Sequence, residues 1–126
     1  ALSQKHELAA EQIQAAVETQ VRQAGITVLK KDDLRRTPGM PYLFILPSVQ
    51  RSDSTGTGYL YRVEVEVFQL VVLSRNPEML SLARTWNSRG SLGSAADENL
   101  GTSIRDAVHT MTAQFVAAYL DANPKH

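Results

Sequence analysis

Glu64 and Glu66 stand two apart in a run of residues that favours an extended chain, so both carboxylates project from the same side of a strand. Two carboxyl groups held together are what general acid–base hydrolysis uses, one protonated and one ionised. Here Arg62 shares their side at the same spacing. Carboxylates beside an arginine on an open sheet form a solvated, charge-balanced surface, and no cleft is implied that would keep one of them protonated. The histidines are His6, His109 and His126, and no two of them are four apart, so no helical zinc pair exists. His109, beside Val108 and within one turn of Arg105 and Asp106, reads as an exposed or half-exposed helix residue.

The chain has no cysteine, which excludes disulfides, thiolate metal sites and a cysteine nucleophile. Gly56-Thr57-Gly58 lies between two strand-like runs, and Gly90-Ser91-Leu92-Gly93 lacks the full dinucleotide spacing, so both read as turns. None of Ser52, Ser54, Ser74, Ser81, Ser88, Ser91, Ser94 and Ser103 lies in a Gly-x-Ser-x-Gly elbow. No catalytic residue, cofactor-binding residue or metal ligand is assigned, and the expectation is a protein that is not an enzyme.

The stronger signal is apolar. Along Tyr59–Leu73, Tyr61, Val63, Val65 and Val67 alternate with Arg62, Glu64 and Glu66, the pattern of a strand with one wet face. Then Phe68, Leu70 and Val72 fall on the side that carried the charges, while Val71 and Leu73 stay on the apolar side. If uncovered, Phe68, Leu70 and Val72 make a patch of the kind that soluble monomers avoid, and they are the candidate partner-binding residues. A β-bulge near Gln69, the loop from Arg75 or a helix on each face would instead cover them from within. Trp86, near Arg84 and Arg89, joins the candidates, because Trp and Arg are enriched in binding hot spots; its competing role is to pack under a helix as core.

The elements that must position these residues follow from periodicity. Ala10, Ile13, Val17, Val21 and Ala24 repeat at helical spacing and predict a helix over Gln4–Ala24, with Ser3 as its cap and Gly25 as its left-handed terminus. Ile26–Leu29 reads as a short strand, Thr37–Pro41 as a turn and Tyr42–Leu46 as a strand apolar on both sides, hence central or covered twice, with Pro47 either ending the regular pairing or sitting where its missing N–H faces no neighbour. Gln50–Gly58 reads as a polar hairpin loop, and Arg75–Glu78 turns the chain after the long strand. Met79–Arg89 carries both a helix cap, Asn76-Pro77, and an alternation that sets Leu82, Arg84 and Trp86 on one side; the alternation favours a strand over Leu80–Ser88. Gly90–Ser94 reads as a flexible connection. Leu100, Ile104, Val108, Met111, Phe115, Tyr119 and Ala122 form the stripe of a second helix, with Ser94 and Asp97 as a capping box and Asn123-Pro124 as its end.

The order helix, four strands, helix predicts an α+β fold. Residues 1–126 form a single two-layer domain, a mainly antiparallel four-stranded sheet with the N- and C-terminal helices packed on it. A chain of 126 residues can build a core without metals or disulfides. Thirteen basic and thirteen acidic residues give zero formal net charge, and the charge cluster Lys30–Arg36 mixes both signs, so nucleic acid is not an expected partner. No apolar run approaches the roughly 20 residues that span a bilayer.

In element order the chain resembles small α/β accessory domains of bacterial envelope machinery, such as the amino-terminal domain of the Tol system's propeller protein and accessory domains of outer-membrane lipoproteins. The resemblance covers most of the chain as a pattern, and no motif transfers a residue role. It implies a non-enzymatic binding or assembly module of the cell envelope that acts on a protein partner or on another copy of itself. A periplasmic or otherwise exported location fits the cysteine-free composition and a first residue, Ala1, that is not methionine; the cytosol fits the lack of cysteine equally. The alternative is a carrier of a small apolar ligand or lipid, held between sheet and helices by Phe44, Tyr61, Trp86, Met111, Phe115 and Tyr119.

Overall fold

A computed structural model describes residues 10–52 and 58–124. The expected Ser3 cap, the first turns of the N-terminal helix (Gln4–Ala9), His6, the middle of the polar loop (53–57) and His126 lie outside the described residues. The elements run α1 (Ala10–Gln23), a single turn α2 (Lys31–Leu34), β1 (Tyr42–Arg51), β2 (Gly58–Leu73), β3 (Asn76–Asn87), β4 (Ser91–Ala96), a 3-10 turn (Asp97–Asn99) and α3 (Leu100–Ala122). This is the α+β fold with a four-stranded antiparallel sheet between terminal helices.

Helix α1 ends as its sequence requires. Gly25 takes φ 84°, its N–H reaches the Arg22 carbonyl at 2.9 Å, and the Ile26 N–H reaches back to Val21 at 3.2 Å. These are the two bonds of a Schellman terminus, and Val21 and Ile26 are both buried in the core, supplying its apolar contact. Because Ile26 is committed to the helix end, Ile26–Leu29 is not a strand, contrary to the sequence reading; Ile26 and Val28 pack against the core from an irregular segment. The Thr37–Met40 turn closes through Met40 N–H to the Thr37 carbonyl at 3.0 Å, with Pro38 and Gly39 (φ 79°) at its centre, the type II pattern.

The fourth strand comes from the segment that reads as a flexible connection. Residues 91–96 pair with the start of β2, from Ser91 opposite Val63 to Ala96 opposite Gly58. Strand β2 is thus the shared strand, and β1 lies at an edge of the sheet with Phe44 exposed, rather than central or covered twice as its two apolar sides suggest. One flank pairs with β1 from Tyr59 to Phe68; the other pairs with β4 over Gly58–Val63 and with β3 over Glu66–Leu73. Met79–Arg89 is strand through Asn87, as its alternation predicts, and the hairpin between β2 and β3 turns at Ser74 and Arg75.

The core lies on one face of the sheet. Val63 and Val65 of β2 are 0% exposed and pack with Val17 and Val21 of α1 and with Leu100, Ile104, Ala107, Val108 and Met111 of α3. The half-buried Leu43, Ile45, Tyr61, Trp86 and Ala95 complete it from the same face. The helix starts with Asn99 as cap and without a side-chain cap bond; Ser94 sits in β4, so the expected Ser94–Asp97 capping box does not form. Its end is as expected, with Asn123 donating to the Tyr119 carbonyl from both backbone and side chain at 2.9 Å. Among the described residues, no helix is long and apolar enough to cross a membrane.

Candidate binding face

The opposite face of the sheet carries the even-numbered residues of β2, and no member of the hydrophobic core belongs to it. The strand register sets its rows. Tyr42, Phe68 and Arg84 form one; Phe44, Glu66 and Asn87 the next; then Leu46 and Glu64, Ser48, Arg62 and Leu92, and Gln50, Leu60 and Ser94. Beyond β1, the hairpin adds Leu70 opposite Leu82 and Val72 opposite Leu80.

The apolar end of this face is partly self-covered by aromatics. Tyr42 stacks on Phe68 with centroids 5.6 Å apart, and Phe44 meets both rings edge-on at 6.4 and 6.3 Å. Phe68 is consequently half-buried and Leu70 is half-buried beside it, whereas Val72 is 53%, Leu80 66% and Leu82 53% exposed. The candidates Phe68, Leu70 and Val72 thus come together on a face that carries no core residue.

Trp86 does not join them. Its ring packs edge-on against Phe115 at 5.8 Å on the helix side, as part of the rim of the core. The reason is a register shift: Val67 faces Trp86 but Phe68 faces Arg84, leaving Thr85 as an extra residue. A bulge of this kind turns the following side chain to the other face, so Arg84 and Trp86 part despite their spacing of two. The shift lies in β3 and leaves the alternation of β2 intact.

The carboxylates are engaged by arginines. Glu64 accepts from Arg62 on its own strand, and Glu66, 6% exposed, accepts from Arg84 Nη1 at 2.8 Å. A buried carboxylate satisfied by a partly exposed guanidinium is charge-neutral and held in place, an arrangement that positions strands. Among the described residues, no group of three or more His, Asp or Glu side chains is placed to hold a metal ion. His109 is exposed, and its carbonyl accepts from Gln20 Nε2 at 3.0 Å.

Of the six side chains named for an apolar pocket, Tyr61, Trp86, Met111 and Phe115 belong to the one core cluster, Tyr119 touches Phe115, and Phe44 lies apart from them. Phe44 sits on the face opposite the core, Met111 is buried within the core, and Phe115 contacts Trp86 on one side and Tyr119, at 6.0 Å, on the other. Tyr61 lies against Gly93, where an added Cβ would come within 2.5 Å of its hydroxyl.

Sequence reading missed Tyr42, Phe44, Leu80 and Leu82 as members of the face. The alternation of Tyr42, Phe44 and Leu46 was visible, but which side met the helices depended on the pairing register with β2. The chain matches no family model, and no curated protein is similar enough to it to count as a relative.

Proposed function

We propose that this chain is a non-enzymatic binding and assembly module of the bacterial cell envelope, which takes a protein partner on the sheet face opposite its helices. One observation carries the reading: Phe68, Leu70 and Val72, with Leu80 and Leu82 beside them, form a contiguous apolar surface that contributes nothing to the core. Exposed apolar surface of this extent costs solubility, and a partner that covers it removes that cost. The charged rows next to it, Arg62 with Glu64 and Arg84 with Glu66, form a polar border like the rim around the apolar centre of a protein interface. The envelope setting is supported by the element-order resemblance, and the lack of cysteine is compatible with it.

Leu70→Lys tests the reading. The residue is half-buried on the face and outside the core, so the variant keeps the circular dichroism and cooperative unfolding of the parent. It loses the proteins that the parent captures from an envelope extract. Equal capture by parent and variant, or wholesale unfolding of the variant, overturns it.

A further inference from the structure

We propose that a second copy of this chain pairs antiparallel along the free edge of β3, with a two-fold axis through Ser81. The inference rests on the reading of the apolar face as a binding surface, and the pairing widens that surface. Among the described residues β3 pairs with β2 alone, and its outer flank faces no other strand. A sheet edge of this kind is a template for another strand unless lysine, proline or an inward charge blunts it. The edge of β1 is blunted by Pro47 in its middle. Met79–Ala83 of β3 contains no proline and no charge.

The sequence of this edge is complementary to itself. Glu78 and Arg84 bracket the uncharged stretch, and its centre is Ser81. Antiparallel pairing about Ser81 sets Leu80 opposite Leu82 of the second copy and Met79 opposite its Ala83, and it brings Glu78, within the bulge of residues 77–79 between Asn76 and Leu80, towards its Arg84. Glu78 is exposed and has no ion pair among the described residues. Arg84 gives one nitrogen to Glu66 and keeps further donors on its planar fork. The aliphatic block doubles at the same time. Leu70 lies beside Leu82 and Val72 beside Leu80 in one copy, so the joined sheet carries two rows of four: Leu70 and Leu82 followed by the second copy's Leu80 and Val72, and the reverse. Moving the axis one residue, to Leu82, sets Leu80 against Arg84 and Glu78 against Trp86, which loses the ion pairs and leaves one leucine pair in place of two. With zero net charge, no long-range repulsion opposes the approach of two copies.

The chain has no cysteine, so single-cysteine variants report the register directly. Residues on a two-fold axis of an antiparallel pair have Cα atoms about 4.5–5.5 Å apart, within disulfide reach. Two copies of residue 83 are displaced by four residues, roughly 13 Å at the rise of a strand. Under mild oxidation Ser81→Cys is expected to give a disulfide dimer, and Ala83→Cys is expected to stay monomeric on a non-reducing gel. Light scattering on the unmodified chain is expected to give twice 13.9 kDa, and Glu78→Arg, which opposes two arginines, to weaken the dimer roughly tenfold or more. A strictly monomeric mass, or equal cross-linking at positions 81 and 83, overturns the pairing. Leu70 lies away from the paired edge, so Leu70→Lys keeps the dimer mass. Loss of cross-linking with Leu70-dependent capture intact refutes the pairing alone; cross-linking at position 81 with capture independent of Leu70 refutes the face reading alone.

Discussion

Ser88 fills a gap in the ladder with its side chain as well as its backbone. Between β3 and β4 the edge spends three residues, Ser88 to Gly90, where β2 spends two, Glu64 and Val65. Ser88 answers both polar groups of Val65: its N–H donates to the Val65 carbonyl at 2.8 Å, and its Oγ accepts the Val65 N–H at 2.9 Å. Ser88 is 2% and Val65 0% exposed, so water has no access to replace the side-chain bond. Ser88→Ala therefore leaves a buried amide unsatisfied and is expected to lower stability by about 1–3 kcal/mol in urea unfolding, with the m-value unchanged. Ser88→Thr, which keeps a hydroxyl, is expected to recover part of the loss. At this scale the sequence was legible only where partners share a strand. Arg62 beside Glu64 could be read from spacing, whereas Arg84 beside Glu66 depends on a bulge at Thr85 that no residue type announces.

Among the elements, the two helices were the most legible, because a repeated apolar stripe and a terminal glycine carry their own explanation. Gly25 holds a left-handed φ of 84° that a side chain adopts only at a cost. Gly25→Ala is expected to destabilise the domain by about 1 kcal/mol, read as a lower denaturant midpoint. The strands were less legible, for two opposite reasons. Ile26–Leu29 has the composition of a strand, but Ile26 donates its N–H to Val21 and is spent on the helix terminus. Ser91–Ala96 is small and polar, a poor strand by propensity, and becomes one because the flank of β2 at Gly58–Val63 takes it as a partner. Its glycine also has a use that only the fold reveals. Gly93 lies directly against the Tyr61 ring, leaving no room for a Cβ.

At the scale of the molecule, the sheet is stabilised from one side. The start of β2 is pinned between β1, β4 and α3, and the Leu70 N–H still donates to the Gly39 carbonyl at 2.7 Å, whereas the last residues of β2 and the facing part of β3 extend beyond as a two-stranded arm. Two-stranded hairpins without a covering layer are marginal in water. Amide hydrogen exchange is expected to divide β2 accordingly, with Val63 and Val65 exchanging only through global unfolding and Val72 and Leu73 orders of magnitude faster. Protection of the arm that rises with protein concentration would mark its burial against another molecule. The class of fold and the two-sided character of β2 were readable from alternation. The side that met the helices was not, because it depends on which parity of β2 the stripes of α1 and α3 bury.

The placement of α1 against α3 carries a further consequence for the order in which the chain comes together. Gln20 and His109, bonded at 3.0 Å, are 89 residues apart, while β1–β2 and β2–β3 pair strands that follow one another directly in the chain. Closing a loop costs more entropy the longer it is, by about 0.6 kcal/mol per doubling, so the hairpins close cheaply and the helix pair is the expensive closure. The valines of β2 supply the surface that repays it, since α1 and α3 meet over the same buried cluster. The sheet is therefore the template on which the two ends of the chain find each other, and the helix contact is the clasp that locks a largely assembled meander.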